Sequence, residues 1–212
     1  MRYPFGPLTG HQKIQLGKGI SGTVKAFHRH LAHYEIVPVA VSATRFLPAT
    51  DLEVAAVVYD TDDFANEQDV PRSVGILRAD NGPEGDLTFN VAGLNAAGEA
   101  YDEDVVVAKN NSGRTAGAFA RVLAITAPAH GGTAGTFTAG NQSIFGLPVA
   151  LQLNSVLAIY NGEDIADIVV RTEVDIDPNE VAMNTFDVTG KATMDGTNPI
   201  GVLFFWPTDS VE

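Results

Sequence analysis

Gly17, Gly19 and Gly22 are spaced as Gly-x-Gly-x-x-Gly in LGKGISGTV, residues 16–24. That is the letter pattern of a loop whose backbone N–H groups cradle a nucleotide phosphate. Such a cradle needs a strand to deliver the glycines, and either a following helix or a lysine on a nearby strand to complete the anion site. Here VPVAVSA offers no lysine, HRHLAH lacks the aspartate of a kinase catalytic loop, and DDFANE lacks the glycine of Asp-Phe-Gly. No strand pattern precedes Gly17 and no helical pattern follows Gly22. The nucleotide reading therefore fails, and the glycines are expected to let an extended segment bend closely over another backbone.

His28, His30 and His33 gather in FHRHLAH, and three imidazoles can hold zinc. On a strand His28 and His30 share a face and His33 points away, while on a helix only residues three or four apart converge. No regular element presents all three together, so no metal site is expected there, and a mildly basic contact surface is. The acidic loops fall short of a calcium loop. From Asp60, position six is Ala65 and position twelve is Pro71; from Asp175, position six is Glu180 and position twelve is Phe186. Solvated acidic turns are expected instead. Gly-x-Ser-x-Gly is absent, and His130, the histidine beyond residue 33, sits in APAHGGTAG with no nucleophile pattern beside it. Carboxylate pairs such as Asp164 and Asp167 are cheap in a chain with 26 acids, so the expectation is a protein without enzymatic activity or cofactor.

Charge says more than motif. The chain carries −13 overall, which argues against direct nucleic-acid binding, since attraction to phosphate is the usual driving force. Residues 1–50 nevertheless hold six cations against one acid, Glu35, a net +5, and the other 162 residues carry −18. The basic segment is also apolar at intervals, at Tyr3, Phe5, Leu8, Ile14, Leu16, Ile20 and Val24. A solvated tail has no need of those side chains, so residues 1–33 read as an extended arm that docks on acidic surface, either its own body or a neighbouring copy. No apolar run is long enough to span a membrane or to serve as the core of a signal peptide, and the absence of cysteine rules out disulfides and thiolate metal sites.

An arm needs a body, and residues 34–212 read as one. Short β-branched and aromatic runs (YEIVPVAVSA, LEVAAVVY, RSVGILRA, DLTFNVAG, EDVVVAK, FARVLAITA, SVLAIYNG, ADIVVRTEVD, NTFDVTGKAT, IGVLFFW) alternate with clusters of Gly, Pro, Asn and Asp. With 45% hydrophobic residues, 21 glycines and 11 prolines, this is the signature of an all-β antiparallel sandwich, jelly-roll-like, built from turns and short strands. The Gly/Thr/Ala stretch 131–140 reads as a loop, with a subdivision of the body near 128–140. VLFFW at 202–206 is apolar on both faces and calls for burial on both, in the core, beneath the arm or in a subunit contact.

The C-terminal third carries the most specific pattern. FTAGNQSIFGLPVALQLNSVLAIYNGEDIADIVV is followed by NTFDVTGKATMDGTNPIGVLFFWP: a Gly/Thr thread, Phe-Gly-Leu-Pro, an apolar strand ending in Tyr-Asn-Gly-Glu, and an aromatic final strand. This resembles the decoration, or cement, proteins of tailed-bacteriophage capsids, all-β bodies seated on the outside of the head. The resemblance implies a virion structural protein on the outer capsid surface, a homodimer or homotrimer, whose partners are the major capsid protein and neighbouring copies of itself. On that reading Lys13, Lys18, Lys25, His28, Arg29 and His30 would face acidic capsid surface, and Phe5, Leu8, Ile14 and Phe27 would fill pockets. A carbohydrate-binding sandwich, with Tyr101 and Tyr160 near turns, is the alternative from a different class, and a tail or head-closure part is a third reading.

Overall fold

The computed structural model describes residues 30–80, 84–131, 135–152, 155–161 and 174–206. They form an all-β antiparallel sandwich of three sheets; among the described residues the helical content is one 3-10 turn at Val181–Met183. The strands are β1 (His30–Ile36), β2 (Leu47–Asp51), β3 (Val57–Asp60), β4 (Arg72–Asp80), β5 (Leu87–Leu94), β6 (Ala100–Val107), β7 (Ser112–Arg114), β8 (Arg121–Ala127), β9 (Gly135–Gly146), β10 (Val156–Asn161), β11 (Val174–Asp175), β12 (Thr185–Asp187) and β13 (Ile200–Trp206). One sheet runs β3-β8-β5-β6 and another β1-β13-β10. The largest runs β11-β12-β9-β4-β7, with β2 also paired to β9.

Alternation makes the first core. In β5 the buried positions Leu87, Phe89 and Val91 alternate with more exposed ones, and in β6 Val105 and Val107 do the same, which is what a half-buried antiparallel strand requires. They meet Val74 and Ile76 of β4, Phe137 and Ala139 of β9, and Phe46, Phe119, Val122 and Ile125. Phe89 and Phe137 lie with ring centroids 5.1 Å apart. Each such side chain taken from water stabilises the fold by roughly 1.5–3 kcal/mol. A second core collects Ile36, Ile159, Ile200, Val202 and Phe204 of the three-stranded sheet against Phe145 and Phe186 of the largest sheet.

β9 joins the two cores. One edge pairs with β4 along most of its length, and the other pairs with β2 at Thr136–Ala139 and with β12 at Ile144–Gly146. Local composition predicts a loop at 131–140, whereas from Gly135 onward the chain is a strand of 12 residues, the longest among the described residues. The reason is contact, not propensity: a Cβ on Gly140 would lie 1.8 Å from the Ser42 carbonyl oxygen, so this strand needs small residues where the chain before β2 crosses it. Two further boundaries move. β1 begins at His30, inside the expected arm, and residues 37–43, expected to continue a strand, are irregular. In VLFFW the faces differ: Val202 and Phe204 are buried in the second core, and Leu203 and Phe205 are half-buried on the outer face.

Candidate functional site

Among the residues singled out for partner binding, Phe5, Leu8, Lys13, Ile14, Lys18, Lys25, Phe27, His28 and Arg29 lie outside the described residues. His30 opens β1 opposite Trp206 of β13. Three residues on, the His33 ring stacks on Tyr160 at 5.8 Å between centroids and 8° between planes, with Nε2 hydrogen-bonded to the Tyr160 hydroxyl. Beside His33, Glu35 and Tyr160, the outer face of this sheet carries an apolar strip: Leu31 is 62% and Leu157 38% exposed, and Leu203 and Phe205 lie between them.

The acidic turns use their carboxylates on themselves. Asp60 Oδ1 accepts from Asp62 N and Asp63 Oδ2 from Asp60 N, while Asp177 accepts from Asn179 N and Glu180 from Ala182 N. These are the local side-chain caps that aspartate and glutamate provide in turns. The open groove across β4, β7 and β9 is lined by Gly75, Leu77, Ser112, Arg114 and Gln142, with no aromatic ring in its lining. Tyr101 packs on Phe119 and donates its hydroxyl to Glu103 Oε2 at 2.9 Å. Burial foremost, and then that carboxylate, raises its pKa above the ordinary phenol value. A ring so held is not free to stack on a sugar.

The chemistry that sequence reasoning missed lies on the inward face of β4. Its alternate residues are Arg72, Val74, Ile76, Arg78 and Asp80, all buried, so an apolar pair is bracketed by two arginines. At the first end, Arg72 Nε and Nη2 donate to Asp69 at 2.5–3.0 Å, and Nη1 and Nη2 donate to the Val39 carbonyl at 3.1 and 3.2 Å. Asp69 also accepts from Val39 N at 2.9 Å, and the guanidinium lies 5.5 Å over the Phe145 ring. Burial lowers the Arg72 pKa and the Asp69 carboxylate opposes that fall.

At the other end, Arg78 Nη2 and Nε both donate to Asp80 Oδ2, and Nη1 donates to Gly85 O at 2.6 Å. His130, expected in an open loop, is 1% exposed. Its backbone N–H donates to Glu53 O at 2.8 Å, and its Nε2 lies 2.9 Å from Asp80 Oδ2 and 3.3 Å from Glu84 Oε2. Glu84 reaches in from the segment before β5, its Oε1 passing over Gly131, where a Cβ would sit only 2.4 Å away. The signal available in the sequence is the period: Arg-x-Val-x-Ile-x-Arg-x-Asp places charges in phase with core residues, and a buried charge demands a partner.

No known protein family matches this chain, and neither curated proteins nor solved structures give a significant match.

Proposed function

We propose that this chain is a capsid cement protein, a virion structural component that binds across major capsid subunits and stabilises the head without catalysis. The observation that carries the reading is the junction at β1. Residues 1–29 hold five cations and no acid, and residues 30–212 carry −18. The basic segment leads directly into β1, at the border of a three-stranded sheet whose outer face offers Leu31, Leu157, Leu203 and Phe205. A cationic, apolar leader continuous with an apolar strip on that sheet suits an extended contact over a neighbouring acidic protein. Each such contact is weak alone, and many copies on a closed shell add by avidity. The carbohydrate reading has less support, because Tyr101 is tied to Glu103 and Tyr160 to His33.

The test is decoration of purified heads of the cognate virus, scored by co-sedimentation. The intact chain is expected to saturate them and to dissociate as salt screens the arm. A chain beginning at His30, and a full-length chain with K13E, K18E, K25E and R29E, are both expected to lose binding while keeping the circular-dichroism spectrum of the body. Full occupancy by either variant overturns the proposal, and selective glycan binding by the intact protein would replace it with the carbohydrate reading.

A further inference from the structure

We propose that Asp80, Glu84 and His130 form a binding site for one zinc-class divalent cation, which would fasten the end of β4 to the segment before β5 and to the loop before β9. Three observations carry this, none of which involves a capsid.

The first is separation. A tetrahedral ion with bonds of about 2.0–2.2 Å sets its ligand atoms about 3.3–3.5 Å apart. His130 Nε2 lies 2.9 and 3.3 Å from the two carboxylate oxygens, and all three ligand atoms fall within 4.8 Å of one another. Shifts of a few tenths of an ångström along the His130 contacts would seat the ion, with a fourth position left for water. One imidazole and two carboxylates suit zinc, whereas calcium asks for six to eight oxygens.

The second is an imbalance of partners. Among the described residues, the buried side-chain polar atoms without a hydrogen-bond partner include only two from ionisable groups, Glu84 Oε2 and His130 Nδ1. Both belong to this cluster. If the imidazole carries its proton on Nε2, that proton serves the nearer oxygen, on Asp80, and Glu84 Oε2 is left over; if it carries it on Nδ1, a bare Nε2 lone pair faces two carboxylate oxygens. A cation at the centre would give Glu84 Oε2 and the Nε2 lone pair a common partner, with the ring proton then on Nδ1, on the far side of the imidazole.

The third is charge. Arg78 neutralises Asp80 and is itself satisfied by Gly85 O and Val107 O, so with a neutral imidazole the cluster keeps the negative charge of Glu84. The guanidinium donates to the same oxygen, Oδ2, that faces His130 Nε2, and so orients it as hydrogen-bonded carboxylates are commonly oriented at metal sites.

The experiment uses the full chain after dialysis against a chelator. Titration with Zn2+ by calorimetry is expected to give one site per chain and a raised Tm, and Co2+ in its place is expected to give the visible absorption of a tetrahedral centre. E84Q and H130A should each weaken binding by at least about tenfold, while H28A/H30A/H33A should leave it unchanged. E84Q changes a partly exposed side chain and keeps its shape, so it tests ligation even where H130A unfolds the chain. Absence of stoichiometric Zn2+ binding overturns the proposal, as does binding that survives E84Q or disappears with the arm histidines. Because no head is used, failure here leaves the cement reading standing, and the reverse holds as well.

Discussion

The two ends of β4 hold the same ingredient in opposite states. At one end Arg72 meets a single acid, Asp69, and every nitrogen of its guanidinium has an acceptor. At the other Arg78 meets Asp80, but Glu84 and His130 crowd the same carboxylate and each keeps an atom without a partner. Both arginines are 0% exposed. Burial therefore does not separate a structural ion pair from a site; the balance of charges and of hydrogen bonds does. A closed pair holds the fold, and a cluster that leaves a carboxylate oxygen without a donor can take a ligand.

The largest expected effect breaks the closed end. Arg72→Met leaves Asp69 with only the partly exposed Arg45, 3.8 Å away, as a cation, and loss of one partner of a buried pair costs up to about 3–5 kcal/mol; urea unfolding followed by circular dichroism would measure it. A loss under about 1 kcal/mol would mean that Asp69 is solvated and that the two ends are alike. The matching change at the open end is Glu84→Gln. It removes surplus negative charge, so metal-free stability is expected to shift by no more than about 1 kcal/mol, in the range of an ordinary partly exposed substitution. A loss as large as that of Arg72→Met would show that Glu84 is already paired.

Alkaline titration gives a smaller effect. Tyr101 lies beside Phe119, whose backbone pairs with Arg72, and Tyr34 is pushed up to about 12 by burial. Both phenols are raised above their ordinary value near 10. The stability they contribute is whole below about pH 10 and is lost as the pH rises through their folded values. Phenolate absorbance at 295 nm should therefore lag behind the ordinary titration, and Tyr101→Phe should remove part of the delayed signal. If all the absorbance appears near pH 10, the Tyr101–Glu103 contact is not held in solution.

The smallest effect belongs to an exposed turn. Backbone N–H groups of Asn198 and Thr197 hold the Asp195 carboxyl below its ordinary value. Its contribution is present above the ordinary value near 3.8 and is lost as the pH falls through the folded one. Amide exchange of Thr197 and Asn198 should quicken on acidification or in Asp195→Asn, with no change in global unfolding. A global change would give this exposed turn a weight that belongs to the buried ends of β4.

Strands rich in β-branched and aromatic residues and bounded by turn residues are legible in the sequence. RSVGILRA, DLTFNVAG, FARVLAITA and IGVLFFW fall on β4, β5, β8 and β13. GTFTAGNQSIFG reads as a loop over its first half, since glycine and threonine signal turns when only near neighbours are considered. Its strand character comes from partners on both edges, and pairing partners distant in sequence leave no local trace. His130 escapes sequence reading for the same reason: APAHGGTAG has the composition of a mobile loop, and only the fold brings Asp80, fifty residues away, to 2.9 Å from its Nε2.

By itself, then, the sequence determined the class of the molecule: its period of two and its turn residues required an antiparallel sandwich, and its charge pattern required a basic leader before an acidic body. Tertiary structure alone decided which charges became partners. Composition gives the number of cations and anions, but burial strips away the water that would otherwise satisfy each of them. Only the packing of β4 against Val39 and Asp69 closed Arg72, and only its packing against the segment before β5 and the loop after β8 gathered Glu84 and His130 around Asp80 beside Arg78.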